Sequence, residues 1–366
     1  MSKSPTIKYL HVLPANIGRT YRFLKFMHNN FNCEEHKFLV LALQLGVIKN
    51  YTRLLEFTDT IYLKGEQGTK TREKHFMSLL DSAENIIWHS IDSEAVDITK
   101  VLTKNKKYLG KSSWVENGSD TIFDSTDAGL CKKHEFIRKS FRSVASMSVI
   151  NAVRLKEKYG IESVRVDYPV NEFFYRLAKE PCIPEGRNHS HLNIQLGTDT
   201  RVFNRPRQTL RLLQQRNLRK IKESFIFLPS NITLLADRSP VKCKPEYTRI
   251  ASKISKKVFI FNNFYTPEQY VKYMNAMDVL ICDPVTVTAP EYMLAPVFCG
   301  VKLCYLGSGY LGDILNGIDS GIGDVRRFSY KQYDSAKDNE KVRALFSCFD
   351  AEGLYSGWKN FFDSIS

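Results

Sequence analysis

Asp278-Val-Leu-Ile-Cys282, then Asp283-Pro-Val-Thr-Val-Thr-Ala-Pro290, Glu291-Tyr-Met-Leu-Ala295 and Gly300-Val-Lys-Leu-Cys-Tyr-Leu306 make up the stretch on which the fold turns. A short apolar run stopped by Asp-Pro reads as a buried strand. Pro290 and Glu291 suit the start of a helix and Gly300 its end, and a second apolar run follows at once. Strand, loop, helix and strand in that order form a crossover unit of a parallel sheet. Its loop then lies at the carboxyl end of a strand, where such sheets bind ligands. Thr286 and Thr288 bring hydroxyls to that loop, and a helix start behind them offers backbone N–H groups to an anion. An ordinary crossover with a polar turn is the competing reading.

Outward from this unit the same alternation continues. Thr266-Pro267-Glu268-Gln269 carries a hydroxyl cap, a proline at the first helical position and Gln three residues after the cap. Before it, Phe225–Leu228 and Val258–Phe261 read as strands, and His191–Leu196 opens this half and runs into the turn Gly197-Thr-Asp-Thr-Arg201. An arginine-rich helix with Leu210, Leu213 and Leu218 follows that turn. In the first half, Ile7–Leu13, His36–Leu45, Asp59–Leu63, Asn85–Asp92, Lys111–Glu116 and Ile161–Tyr168 read as strands. A helix with Phe23, Leu24, Met27 and Phe31 on one face follows the first of them. Cys131–Lys158 reads as a long basic helical stretch with a break near Ser143 to Ser148. The fold class is therefore α/β, with two Rossmann-like doubly wound domains facing a cleft. The expected division is 1–169, a proline-containing linker at 170–190, a second domain at 191–350, and a tail helix at 351–366 packing across the domain interface.

A chain of 366 residues with 43% hydrophobic and 12% aromatic residues is long enough for two cores and is globular. Its eight cysteines form no Cys-x-x-Cys pair, and three of them (282, 299, 304) sit in apolar runs, as reduced buried thiols do. The amino end lacks the apolar stretch of a signal peptide, and no run reaches bilayer length. A net charge of +14 predicts an anionic partner: lipid head groups, nucleotide phosphates or nucleic acid. Walker, His-Glu-x-x-His and Asp-x-Asp motifs are missing, which argues against P-loop hydrolysis, zinc peptidase chemistry and a metal-clamped sugar transferase. No metal site and no cofactor are expected. What remains is the plan of a two-domain sugar-nucleotide transferase, with a nucleotide-diphosphate sugar as co-substrate. Helix amino ends and hydroxyls would hold the diphosphate while a base deprotonates the acceptor hydroxyl.

Lys8-Tyr-Leu-His11-Val-Leu13, Arg19-Thr20, the Phe23/Phe26 helix, His89 at a strand end and the turn Trp114-x-x-x-Gly118-x-Asp120 carry a resemblance. Gly197, Pro229 and Ala276-Met-Asp278 extend it along most of the chain as single residues in similar order. In these features the sequence resembles the TDP-N-acetylfucosamine:lipid II N-acetylfucosaminyltransferase family, a family of two-domain GT-B type. It departs from the family at Val115 and Asn117, which stand in place of His and Trp, and at Glu291, where the family is Gly-rich.

The resemblance implies an acceptor-side site of His11, Asn16, Arg19, His89 and Asp120, with Glu116 in the same turn as Asp120. His89 is the first choice as general base, because an imidazole titrates near working pH, and Asp120 is the second. Each also has a structural reading: His89 as a capped strand-end residue, His11 as a buried strand histidine, Asp120 as a turn residue beside Gly118. On the donor side the candidates are Gly197, Thr198, Arg201, Thr286, Thr288 and Glu291. Gly197 permits close backbone approach, Arg201 suits a diphosphate, and Glu291 stands where such transferases place a carboxylate on the ribose. A solvated charge (Arg201) and a first-turn helix residue (Glu291) are the alternatives.

The function expected is metal-independent transfer of a sugar to a lipid-linked bacterial glycan, in the cytoplasm, peripheral on an anionic inner-membrane surface. Lys132, Lys133, Arg138, Lys139, Arg142, Arg154, Lys156 and Lys158, interleaved with Phe136, Phe141 and Met147, would suit a helix lying on that surface. A soluble or protein-bound acceptor, or RNA binding through the arginines of 201–222, are the competing functions. No recognition-module signature supports the last, so no nucleic acid is expected.

Overall fold

The computed structural model describes residues 7–15, 17–42, 52–64, 69–91, 93, 95–118, 120, 128–185, 191–199, 204–215, 223–234, 243–284, 287, 289–305, 323–324 and 335–366. The chain forms two compact units, Met1–Pro169 with Glu352–Ser366 and Val170–Ala351.

In unit 1 the apolar runs become β1 (Ile7–Pro14), β2 (His36–Ala42), β3 (Thr60–Leu63), β4 (Ala83–Trp88), β5 (Ser112–Glu116), β6 (Ser143–Ser146) and β7 (Val164–Arg165). They make one parallel sheet in the order β3-β2-β1-β4-β5-β6-β7. The order reverses between β1 and β4, so the loops after these two strands flank a crevice at their carboxyl ends. Leu10, Val12, Ile86, Trp88 and Trp114 lead the core on one face. On the other face lies the tail helix Ala351–Ile365, which buries Leu354, Trp358, Phe361, Phe362 and Ile365. That spacing of three and four residues is one helical stripe. Trp358 Nε1–H donates to the Asp167 carbonyl at 2.9 Å, and Phe362 packs on Tyr9, Phe31 and His36. Gly357 sits where an added Cβ would come within 3.3 Å of the Arg165 carbonyl oxygen, so a side chain there would lift the helix from the strand.

Unit 2 contains β8 (Asn193–Leu196), β9 (Phe225–Leu234), β10 (Lys257–Tyr265), β11 (Val279–Cys282), β12 (Lys302–Tyr305) and β13 (Gly323–Asp324). They too form a parallel sheet, β10-β9-β8-β11-β12-β13, reversing between β8 and β11. Ile194, Leu196, Ile226, Leu228 and Ile281 face helices Pro206–Gln215 and Pro245–Ala251 across the core. The decisive crossover forms as read: β11, then helix Pro290–Leu294, a 3-10 turn Ala295–Cys299 ended by Gly300 at φ 74°, then β12. The helix start at Thr266 forms a full capping box, its hydroxyl accepting from the Gln269 N–H and the Gln269 side chain accepting from the Thr266 N–H. Thr266→Ala should cost about 1 kcal/mol of unit 2 stability, read as a lowered urea midpoint with unchanged slope.

Three parts of the chain differ from the sequence reading. The stretch 170–190 holds helix Glu172–Lys179, whose Phe173 and Phe174 pack on Tyr270 and Tyr292 of unit 2. The basic stretch 131–158 is two helices, Ala128–Ser140 and Val149–Tyr159, separated by β6. Its Arg138, Phe141, Met147 and Arg154 are buried, so these four residues do not belong to an exposed basic face. The tail helix makes its described contacts with unit 1, through Trp358, Phe362 and a Tyr355–Phe31 stack. Apolar periodicity placed the elements, but it could not say which neighbour each would cover.

Candidate functional site

At the reversal point of unit 1 the expected residues meet, though not all in the expected roles. His89 follows β4 and extends the ladder, its N–H donating to the Val12 carbonyl at 2.9 Å. Its ring is 2% exposed and both nitrogens are engaged. Nε2 is hydrogen-bonded to His11 Nδ1 at 3.0 Å, and Nδ1 to the Tyr168 hydroxyl. His11 Nε2 in turn bonds His36 Nδ1 at 2.9 Å. Tyr168, His89, His11 and His36 thus form one buried chain of hydrogen bonds, sealed by Phe23, Phe38, Trp358 and Phe362. Each neutral imidazole donates once and accepts once, so the chain is satisfied with all three rings uncharged. Burial pushes His89 down to about 3 and His36 down to about 4, and holds His11 well below the usual histidine range. His89 is therefore corrected as the base: neither nitrogen is left to take a proton from a substrate. His11 likewise takes its structural alternative.

Ser90, the next residue, has φ 108°, a conformation that an L side chain adopts only under constraint. Its hydroxyl donates to Asp120 Oδ1, and Trp114 Nε1–H donates to Asp120 Oδ2 at 2.7 Å. Arg138, 1% exposed, donates to the Asp120 carbonyl at 2.5 Å and lies over the Trp114 and Tyr159 rings. Glu116 ends β5 and its Oε1 accepts the Gly118 N–H at 2.7 Å. Burial and then the charge of Asp120 raise the Glu116 carboxyl to about 8, against the Gly118 N–H and Arg154. At neutral pH, Glu116 carries a proton beside Asp120. Arg19, on helix Ile17–Asn30, lies over the Tyr168 ring at 5.7 Å. Asn16 lies outside the described residues. Sequence reasoning missed the roles of His36, Tyr168 and Ser90 and read Arg138 only as a membrane-facing cation; a histidine opening the strand beside His11 was the one available signal.

In unit 2 the reversal point gathers a second polar set. Gly197 follows β8 at φ 71°, its N–H donating to the Ile281 carbonyl of β11 at 2.8 Å. An added Cβ would lie 3.1 Å from the Asp199 carbonyl oxygen, so only glycine fits this turn without strain. Thr198 is half-buried beside it. Asp199 is buried and accepts from Asn204 Nδ2 at 2.7 Å. Arg205 (φ 48°) pairs with Asp283 at 3.1 Å, joining the loops that follow β8 and β11. Burial raises Asp283 to about 6, with Arg205 opposing. Glu291 occupies the first turn of helix Pro290–Leu294 and is buried. Arg201, Thr286 and Thr288 lie outside the described residues. Asp199 and Asn204 were not singled out in the sequence; Arg205 was read only among the arginines of 201–222, and Asp283 only as part of the Asp-Pro that stops a strand.

Two parallel-sheet Rossmann-like units, each with polar residues collected where its strand order reverses, make up the GT-B fold. Solved structures share it. The chain is similar to sucrose-phosphate synthase from Thermosynechococcus elongatus, with a TM-score of 0.60, 10% identity, and coverage of 98% of this chain and 100% of that one. It is also similar to a UDP-forming alpha,alpha-trehalose-phosphate synthase from Burkholderia xenovorans, with a TM-score of 0.52, 9% identity and 98% of both chains covered. No protein-family model matches the sequence, and no curated protein matches it. Among the described residues no helix is long and apolar enough to cross a membrane.

Proposed function

We propose that the chain is a glycosyltransferase that moves a sugar from a nucleotide-diphosphate donor to a hydroxyl of a lipid-linked glycan, without a metal ion. The observation that carries this reading is the fold shared over 98% of the chain with two sugar-phosphate synthases, one of them described as UDP-forming. The donor site is assigned to the reversal point of unit 2. Gly197 and Thr198 would bring backbone and hydroxyl to the diphosphate, with Arg201, Thr286 and Thr288 as further ligands and Glu291 on the ribose. The acceptor site is assigned to the reversal point of unit 1, with Arg19 beside it and Asn16 as a further acceptor ligand. Asp120 takes the acceptor proton in place of His89. Its carboxylate is held by the Ser90 hydroxyl and the Trp114 Nε1–H at the carboxyl end of β5, whereas both nitrogens of His89 are bound within the histidine chain. Protonated Glu116 beside it keeps the pair at a single negative charge.

A soluble acceptor is the second reading, favoured by the names of the two structural neighbours, both synthases of sugar phosphates.

Thermal shift with UDP, TDP, GDP and CMP and their sugars tests the donor assignment. One nucleotide diphosphate at about a hundredfold its Kd should stabilise unit 2 by about 2.7 kcal/mol. No shift with any of them would remove the transferase reading.

A further inference from the structure

β10 is the edge strand of the unit 2 sheet, and it exposes two large apolar residues in succession: Phe259 is 45% and Ile260 48% exposed. Successive residues of a strand point to opposite faces, so the edge presents apolar surface on both sides. On the Phe259 side the patch is continuous. Phe259 stacks on Phe227 at 5.3 Å, Phe225 lies 5.6 Å from Phe259, and Phe261 lies 6.2 Å from Phe227, all across the β9–β10 pairing. The chain enters this strand through Lys253, Lys256 and Lys257, each exposed, and Lys257 Nζ sits 4.3 Å above the Phe225 ring. Between Lys244 and Lys257 the sole carboxylate is Glu246, which is paired with Arg207 at 2.8 Å.

We infer that this edge of unit 2 is a membrane-docking surface that seats on an anionic bilayer. Phe259 and Ile260 enter the head-group region while Lys253, Lys256 and Lys257 meet lipid phosphates. Aromatic rings and lysines suit that boundary because each joins an apolar body to a polar or charged tip. Exposed aromatic surface on an edge strand is unfavourable in water, and the lysines leading into it disfavour a second copy of this positively charged chain. An anionic lipid surface satisfies both features at once. The purpose of the surface rests on the lipid-linked acceptor proposed above; its existence rests on exposure and charge alone.

The test is sedimentation of the full chain with vesicles of phosphatidylglycerol and phosphatidylcholine in equal parts, against vesicles of phosphatidylcholine alone. The vesicles carry no acceptor and no donor is added, so the result is independent of transfer. The native chain should pellet with the anionic vesicles only. Lys256→Ser with Lys257→Ser should weaken binding about thirtyfold at low salt. Phe259→Ser with Ile260→Ser should weaken it about tenfold or more at any salt. The lysine variant should keep the melting temperature of the native chain, the Phe259/Ile260 variant should melt lower but remain folded at the assay temperature, and both should keep the nucleotide-induced shift. Equal binding by native chain and variants would overturn the inference. So would a concentration-dependent dimer abolished by the Phe259/Ile260 variant, since the edge would then serve a second copy. If nucleotides shift the melting temperature but vesicles do not bind, the surface fails and the transferase reading stands. Vesicle binding without any nucleotide shift gives the reverse.

Discussion

Titrated from about pH 6.5 down to about pH 4, unit 1 is expected to unfold ahead of unit 2. His36, His11 and His89 are held neutral by burial, with folded pKa values well below the ordinary histidine value near 6.5. In this window the unfolded chain binds protons that the folded chain refuses, so stability falls as pH falls. Each histidine contributes a slope of up to about 1.4 kcal/mol per pH unit, fully favourable above the unfolded value and lost toward the folded one. Glu116 has the opposite sign: its carboxyl is raised, so its contribution grows as pH falls from about 8 toward its ordinary value. Among the charged neighbours, Glu35 raises His36 and Lys8 lowers it, while Arg19 and Asp120 act in opposite senses on Tyr168 at the other end of the chain; burial is the largest cause at both ends. Three slopes against one leave a net loss of several kcal/mol over two pH units, comparable with the roughly 5–15 kcal/mol total stability of an ordinary domain. The three tryptophans, Trp88, Trp114 and Trp358, all belong to unit 1, so their fluorescence reports this transition alone. His36→Phe keeps an apolar ring beside Tyr9 and Phe362 and should flatten the acid slope by about one proton, despite the partner lost to His11. An acid transition of equal steepness in that variant would refute the account.

Trp358→Ala should destabilise unit 1 by about 3–5 kcal/mol, the cost of a cavity left by a large aromatic residue. Trp358 is fully buried, stacks on His89 at 5.8 Å and lies 4.8 Å from Phe23. Its Nε1–H is the donor to the Asp167 carbonyl, which the substitution leaves unanswered. At about 2–4 °C per kcal/mol for a unit of this size, the melting temperature should fall by roughly 10 °C. Limited proteolysis should then cut within 351–366 before any site in unit 2. A variant that melts as the native chain does would show that the tail helix contributes little to unit 1.

How far the sequence could be read depended on what kind of information each residue carries. The crossover from Asp278 to Leu306 was legible because Pro290 and Gly300 restrict the backbone at the two ends of an apolar run. Thr266-Pro267-Glu268-Gln269 was legible for the same local reason. The short helix at 172–179 was hidden by the prolines on either side, and the burial of Arg138 by the assumption that a cation faces water. His11 and His89 were found as residues but misread in role. Imidazole chemistry is visible in a sequence; the filling of both ring nitrogens by His36 and Tyr168 is a tertiary fact. Asp120 was seen because of the Trp114 turn, while its partner Ser90 carried no signal beyond adjacency to His89.

The tail helix belongs with residues 1–169, although Val170–Ala351 separates the two in the chain. A ribosome must therefore make all of unit 2 before unit 1 can close. At about 5–20 residues per second, that leaves Phe23, His11 and His36 without Trp358 and Phe362 for roughly 10 to 40 seconds. During that interval the nascent first half offers an open aromatic trough, a natural resting place for a holding chaperone. The second half, needing no later segment, is free to fold while the first still waits.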